Sequence, residues 1–164
     1  MNVSQVIAAV TAAFKGVVLG GGCSLRSAEE ADCWGEPPVN TDQVILSEVN
    51  TTEDWTALSV RTLDYYPYLA HMDAEGFRYY IPAFMLSLLF PGDQSMRGIC
   101  TLGALYPKKD ERWDYHLSLY SLLSRDQCAA IALFLRELPA LVELDSDDQK
   151  ICDRALRNYW HTFL

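Results

Sequence analysis

The chain has 164 residues, of which 50% are hydrophobic and 21% are charged, and its formal net charge at pH 7 is -9. This length and composition are typical of one globular domain and unlike those of a disordered or low-complexity chain. No apolar run approaches the roughly 18 residues that a membrane-spanning helix needs. We therefore expect a single globular domain over residues 1–164 and no membrane partner.

The negative charge is concentrated in the first half of the chain. Residues 1–75 contain eleven acids and three bases, whereas residues 76–164 contain eleven acids and ten bases. The segment from Ser27 to Val60 holds eight acids and no lysine or arginine. Such a surface repels phosphate groups and attracts basic proteins, so we expect no direct binding to nucleic acid. Solubility alone is the simpler explanation of the same charge.

The N-terminal segment has helical spacing. Apolar residues from Val3 to Phe14 recur at intervals of three and four, and Gly16 can end that helix. No lysine or arginine precedes the stretch, so a secretory signal peptide is not predicted. Ser24 is a suitable N-cap for a short second helix, which the double proline of residues 35–38 would end.

The next segments carry weaker signals. Residues 39–51 are compatible with a helix or with an extended segment. Thr52 to Trp55 combines a capping hydroxyl with acids and predicts a helix start, and this helix should fade before Pro67. The densest apolar stretch follows, from an N-cap at Asp73 to Phe90. Proline at position 82 lies inside it, and we favour one kinked helix over a fresh helix that starts there.

Residues 95–120 depart from helical spacing. Apolar residues alternate on both sides of a polar turn at residues 107–111, from Leu102 to Tyr106 and from Trp113 to Leu119. Alternation around a turn is typical of two strands, so this segment is compatible with one small β-hairpin around residues 99–119. Two capping boxes then predict the last helices, at residues 124–127 and 146–149. The expected fold is mainly α, in a single domain.

The cysteines indicate a reducing compartment. Their number is odd, and no pair has CxxC or other metal-ligand spacing: Cys23, Cys33, Cys100, Cys128 and Cys152. Cys128 and Cys152 fall on the apolar faces of predicted helices, and the other pair in irregular segments, Cys23 and Cys33, is predicted to be more exposed. We expect a cytoplasmic protein without structural disulfides. A Cys23–Cys33 disulfide is the less favoured alternative.

No motif predicts catalysis. The Gly20–Ser24 loop lacks a preceding strand and a following lysine, so a helix end followed by a turn explains it better than a phosphate-binding loop. The three histidines, His71, His116 and His161, have no zinc-ligand spacing. We predict no catalytic residue, no metal and no cofactor.

One cluster combines charged and phenolic groups beside the apolar core. Asp73, Arg78 and Tyr80 lie within two helical turns, and Arg78 is suited to bind a carboxylate or phosphate. With His116 after folding, these residues would form a small ligand pocket. The structural alternative is a capped helix whose arginine pairs with a neighbouring acid.

The same cluster carries a resemblance. The stretch DAEGFRYYIPAFM at residues 73–85 resembles the signature of a bacterial family of uncharacterised domains of about this size. Three further stretches are similar to that family, at residues 12–22, 124–135 and 155–160. The resemblance implies no established activity and supplies no catalytic residue.

We favour a non-enzymatic function on these grounds. The acidic segment predicts an immunity or antitoxin-like protein that inhibits a basic partner such as a nuclease toxin. The acids predicted to form the partner-binding face are Glu29, Glu30, Asp32, Glu36, Glu53 and Asp54. The alternative is a small enzyme or ligand-binding domain with a pocket around Asp73, Arg78 and Tyr80. The aromatic content does not determine the oligomeric state.

Overall fold

The computed structural model describes residues 1–33, 41–90, 92 and 95–164, and the residues it describes contain helices but no strand. The mainly α prediction is therefore confirmed. No helix in these ranges is long and apolar enough to span a lipid bilayer.

Four short helices form the first part of the chain. Each begins at a side chain that accepts a hydrogen bond from its first turn, which satisfies a backbone N–H that has no partner within the helix. Ser24 is one of these caps, as predicted. Residues 39–40 lie outside the described ranges, and the described part of the ambiguous segment that follows is helical. The helices are α1 (Val3–Ala13), α2 (Leu25–Asp32), α3 (Gln43–Val49) and α4 (Val60–Tyr65).

The predicted helix start at Thr52 is wrong. Asp54, rather than Thr52, caps a single 3₁₀ turn at Trp55–Ala57, and α4 begins separately after Ser59. The indole Nε1 of Trp55 donates a hydrogen bond to the carbonyl oxygen of Phe14 at 3.0 Å. This buried contact fixes the turn against the end of α1.

Helix α5 (Ala74–Ser87) is the central element. It begins at the predicted N-cap, Asp73, and runs through Pro82, so the prediction of one helix is confirmed. Phe77, Tyr80 and Phe84 are fully buried, as their helical spacing requires.

The predicted β-hairpin around residues 99–119 is wrong. This segment forms two helices, α6 (Ser95–Leu105) and α7 (Trp113–Tyr120), and both pack on α5. Their buried positions follow helical intervals, with His116, Leu119 and Tyr120 inward on α7. The alternating residues Tyr115 and Leu117 do not share one buried face: Tyr115 is exposed. Alternation over so few residues fits either period, and packing against α5 selects the helix.

The last two long helices are α8 (Arg125–Leu141) and α9 (Ser146–Asn158), followed by a 3₁₀ turn at Trp160–Phe163. The capping box of α8, Ser124 with Gln127, is confirmed. The box predicted at residues 146–149 is wrong, because Asp145 caps α9 one residue earlier.

Helix α8 connects the two ends of the chain in one hydrophobic cluster. It packs against α1, α9 and the C-terminal 3₁₀ turn. Trp160 is fully buried there, and its indole donates to the carbonyl oxygen of Leu105 at 2.7 Å. Cys128 and Cys152 are buried in this cluster, as predicted, and all five cysteines are free thiols.

Candidate functional site

The acids predicted to bind a partner lie on two separate elements. The first element is α2. Glu30 and Asp32 are exposed on this helix, and the Asp32 carboxylate pairs with His71 Nε2 at 2.9 Å. Glu29 faces inward, with only 5% of its surface exposed, and burial raises its pKa. Glu36 lies outside the described residues. On α2, therefore, Glu30 and Asp32 are the predicted acids that solvent reaches freely.

The second element is the 3₁₀ turn before α4, together with the residues that lead into it. Glu53 and Asp54 are exposed there. The Asp54 carboxylate accepts hydrogen bonds from the amide of Thr56 at 2.9 Å and from its hydroxyl at 2.6 Å. These bonds lower the pKa of Asp54, so it is ionised at neutral pH.

Asp73 holds the start of α5. Its Oδ1 accepts hydrogen bonds from the amides of Gly76, at 2.7 Å, and Cys23, at 3.0 Å. The glycine-rich loop, Gly20–Ser24, crosses the start of α5 at this point, and a Cβ on Gly22 would lie 2.7 Å from the backbone nitrogen of Gly76. The carboxylate therefore occupies the position at which an anion could meet the amide of Cys23, and the loop packs against α5.

Arg78 and Tyr80 point in different directions from α5. The Arg78 guanidinium is partly exposed and donates to the carbonyl oxygen of Leu122 at 3.4 Å. Tyr80 is fully buried, and its hydroxyl has no hydrogen-bonding partner among the described residues. Burial raises the pKa of Tyr80 to about 12. A spacing of two residues places side chains on different faces of a helix, so this pair does not converge.

His116 belongs to a different environment. Only 8% of its surface is exposed, and its Nδ1 lies 3.5 Å from Tyr120 Oη. The Tyr120 hydroxyl donates to the carbonyl oxygen of Ala104 at 2.7 Å. Burial lowers the pKa of His116, so its ring is neutral at neutral pH. Asp73, Arg78 and Tyr80 do not line the cavity that His116 reaches.

That cavity, the α6–α9 cleft, is bounded by α6, α7, the segment between them and α9. It has a volume of about 480 Å³, which is within the range of small-molecule sites. Its apolar wall includes Ile99, Tyr106 and Ile151. Four bases line it, together with two acids at one edge: Lys108, Arg112, Lys150, Arg154, Asp147 and Asp148.

The bases of the cleft differ in their partners. Lys150 pairs with Asp147 at 2.8 Å, and Arg112 pairs with Asp110 at 3.0 Å. The Lys108 ammonium lies 5.8 Å from the centre of the Tyr106 ring. Arg154 forms no direct ion pair with any residue that the structure describes, although after Lys150 it also helps to lower the pKa of Asp147. Arg154 is therefore the base with the most freedom to bind an added anion.

Sequence reasoning missed this cleft although it singled out His116. Lys108 and Arg112 are four residues apart, as are Lys150 and Arg154. Neither pair is a motif by itself, and only the packing of α6 against α9 brings the two together. Within the described ranges, no group of three histidine, cysteine, aspartate or glutamate residues is arranged to hold a metal ion.

The model of a protein family of unknown function, DUF6714, matches residues 2–164. The chain belongs to this family. The match confirms the expected resemblance to a family of uncharacterised domains, and in this DUF6714 protein it spans the glycine-rich loop, α5 and the α6–α9 cleft. No curated protein and no solved structure is detectably similar to it.

Proposed function

We propose that this protein is a non-enzymatic, acidic interaction protein of the bacterial cytoplasm that binds a basic protein partner. The most concrete form of this function is an immunity or antitoxin-like protein that inhibits a nuclease toxin. The observation that carries the proposal is the exposure of Glu30, Glu53 and Asp54 in a half of the chain that has eleven acids and three bases.

The local surroundings of these carboxylates support the proposal. No lysine or arginine within the described ranges pairs with Glu30, Glu53 or Asp54. The one hydrogen-bonded member, Asp54, is bonded by Thr56 in a way that favours its charged form. Asp32 contributes less because it pairs with His71. Unpaired, ionised acids steer a basic partner and accept its hydrogen bonds.

A nuclease gives this charge a specific mechanism. An enzyme that cuts nucleic acid presents lysine and arginine side chains to phosphate groups. Exposed carboxylates on an inhibitor can occupy the same positions, and the match also excludes partners with acidic surfaces. Five free thiols are consistent with the reducing cytoplasm in which such an inhibitor would protect its own cell.

The test compares two variants with the same change in net charge. The acidic-half variant carries Glu30→Gln, Glu53→Gln and Asp54→Asn. The control variant carries Glu111→Gln, Glu143→Gln and Asp153→Asn, which are also exposed positions. A basic partner is first isolated on the wild-type protein at low salt, and its association rate with each variant is then measured at several salt concentrations.

We expect the acidic-half variant to associate about tenfold more slowly at low salt, with a flatter dependence on salt, because steering depends on unscreened charge. The control variant should keep most of the wild-type rate. Equal slowing of both variants would show that only total charge matters, and an unchanged rate in the acidic-half variant would exclude this face as the binding surface.

A further inference from the structure

We propose that the α6–α9 cleft is a binding site for a small organic anion that has an apolar body and one N–H or O–H donor. Arg154 and Arg112 would bind the anionic group, Ile99 and Ile151 would contact the apolar body, and His116 would accept the donor. This site is separate from the acidic surfaces on α2 and on the turn before α4.

The charge of the cleft is opposite to that of the molecule. Four of the thirteen lysine and arginine residues of the chain line this one cavity, in a protein of net charge -9. Asp147 and Asp110 each neutralise one of these bases. Arg154 keeps its hydrogen-bonding capacity for a ligand, and a guanidinium binds carboxylate or phosphate oxygens in pairs.

The apolar wall indicates the body of the ligand. Ile99 has 62% of its surface exposed, although it lies on a helix that packs against the central α5. A β-branched apolar side chain with that exposure at the edge of a cleft gains free energy when a ligand covers it. A cavity of about 480 Å³ has room for an aromatic acid of one or two rings.

His116 gives a separate reason to expect a hydrogen-bond donor on the ligand. The Tyr120 hydroxyl donates its hydrogen to the carbonyl oxygen of Ala104, so its 3.5 Å contact with His116 Nδ1 is a hydrogen bond only in the tautomer that carries the ring hydrogen on Nδ1. A neutral ring protonated at Nδ1 has an unprotonated Nε2. His116 lines the cleft, so its ring can meet a ligand bound there. An unprotonated imidazole nitrogen at the wall of a cleft can accept a hydrogen bond from a ligand that donates one.

Three related probes separate the features of the proposed ligand. Indole-3-acetate carries the charge, the aromatic body and an N–H donor. Indole-3-acetamide lacks the charge, and 1-methylindole-3-acetate lacks the donor. Each probe is titrated into the ¹⁵N-labelled full chain, and backbone amide shifts give both the affinity and the location of binding.

We expect saturable shifts for indole-3-acetate, concentrated in residues 99–116 and 147–154. Loss of the charge or of the donor should each weaken binding about tenfold, as expected for one hydrogen bond in a desolvated site. Absence of saturable shifts at millimolar indole-3-acetate, shifts located elsewhere, or equal affinity for all three probes would each overturn the proposal.

A matched pair of variants tests the arginine. Arg154→Gln and Arg157→Gln remove the same charge from the same exposed side of α9, but Arg157 does not line the cleft. Arg154→Gln should weaken indole-3-acetate binding about tenfold, and Arg157→Gln should leave it within about twofold. Equal losses would overturn the assignment. Neither substitution touches the acids of the proposed partner surface, so this proposal and the proposed function can fail independently.

Discussion

Gly22 and Gly76 are adjacent across the contact between the glycine-rich loop and α5. A Cβ on Gly76 would lie 2.5 Å from the carbonyl oxygen of Cys23 and 2.9 Å from Met72 Sδ. The carbonyl belongs to the backbone and cannot turn away as a flexible side chain could. The absence of a side chain at both positions is therefore what lets Asp73 receive the amide of Cys23.

Gly76→Ala should lower the free energy of unfolding by about 1–3 kcal/mol, because the added methyl group forces the loop away from α5. Gly103→Ala is the matched control, since nothing lies within 4 Å of its Cβ position on α6. The control should be neutral or up to about 1 kcal/mol more stable, through the higher helix propensity of alanine. Urea unfolding measures both, and equal stability of the two variants would contradict the close contact.

His116 predicts a dependence of stability on pH. Burial lowers its pKa in the folded state below the ordinary value of 6.5. As the pH falls through 6.5, the unfolded chain takes up this proton before the folded protein does. The stability that the neutral ring contributes is therefore fully present above pH 6.5. It is lost as the pH falls from 6.5 toward the lower pKa that His116 has in the folded state.

His116→Gln should reduce this loss of stability between about pH 7 and about pH 5.5. The measurement is the free energy of unfolding at both pH values, in which the contributions of the carboxylates cancel between variant and wild type. If the free energy of unfolding of His116→Gln changed with pH as much as that of the wild type, this would contradict the lowered pKa of His116.

At the scale of the elements, helix starts were the most predictable features. Ser24, Asp73 and Ser124 cap their helices as expected, because a cap needs only one acceptor and an amide two or three residues later. The start of α9 was predicted one residue late. Asp145 and Ser146 are both good caps, and the sequence pattern favoured the serine because Gln149 follows it at capping-box spacing.

The α9 start gives a direct comparison of two neighbouring substitutions. The Asp145 carboxylate accepts hydrogen bonds from the amides of Asp147 and Asp148, both at 2.8 Å. Asp145→Ala should cost about 1 kcal/mol of stability, whereas Ser146→Ala should change it by less than about 0.5 kcal/mol. The variant with the lower urea midpoint identifies the capping residue. An Asp145→Ala variant that is more stable than the Ser146→Ala variant would favour Ser146 as the cap.

At the scale of the whole molecule, charge is divided unevenly between two halves of one folded chain. Acids in residues 1–75 have few bases to offset them, whereas acids in residues 76–164 are nearly balanced. Like charges on one folded body repel and lower its stability, and salt weakens this effect.

Asp54 is left unchanged here because it caps the 3₁₀ turn. Glu30→Gln with Glu53→Gln should be more thermally stable at low salt than Glu111→Gln with Glu143→Gln, by about 1–3 °C. Both pairs of substitutions remove two negative charges, so their difference reports the local excess of acids and not total charge. The difference should shrink at high salt. Identical melting temperatures at low salt would mean that the acids of the first half do not repel one another measurably.

The sequence by itself determined the helical class, the starts of α2, α5 and α8, and the burial of Cys128 and Cys152. These features depend on side chains within a few residues of one another along one helix. The tertiary structure alone decided that Glu29 turns inward, that residues 99–119 pack as helices on α5, and that Arg112 and Arg154 share a cleft with His116. Those outcomes depend on contacts between segments far apart in the chain, whose free energy no local pattern records.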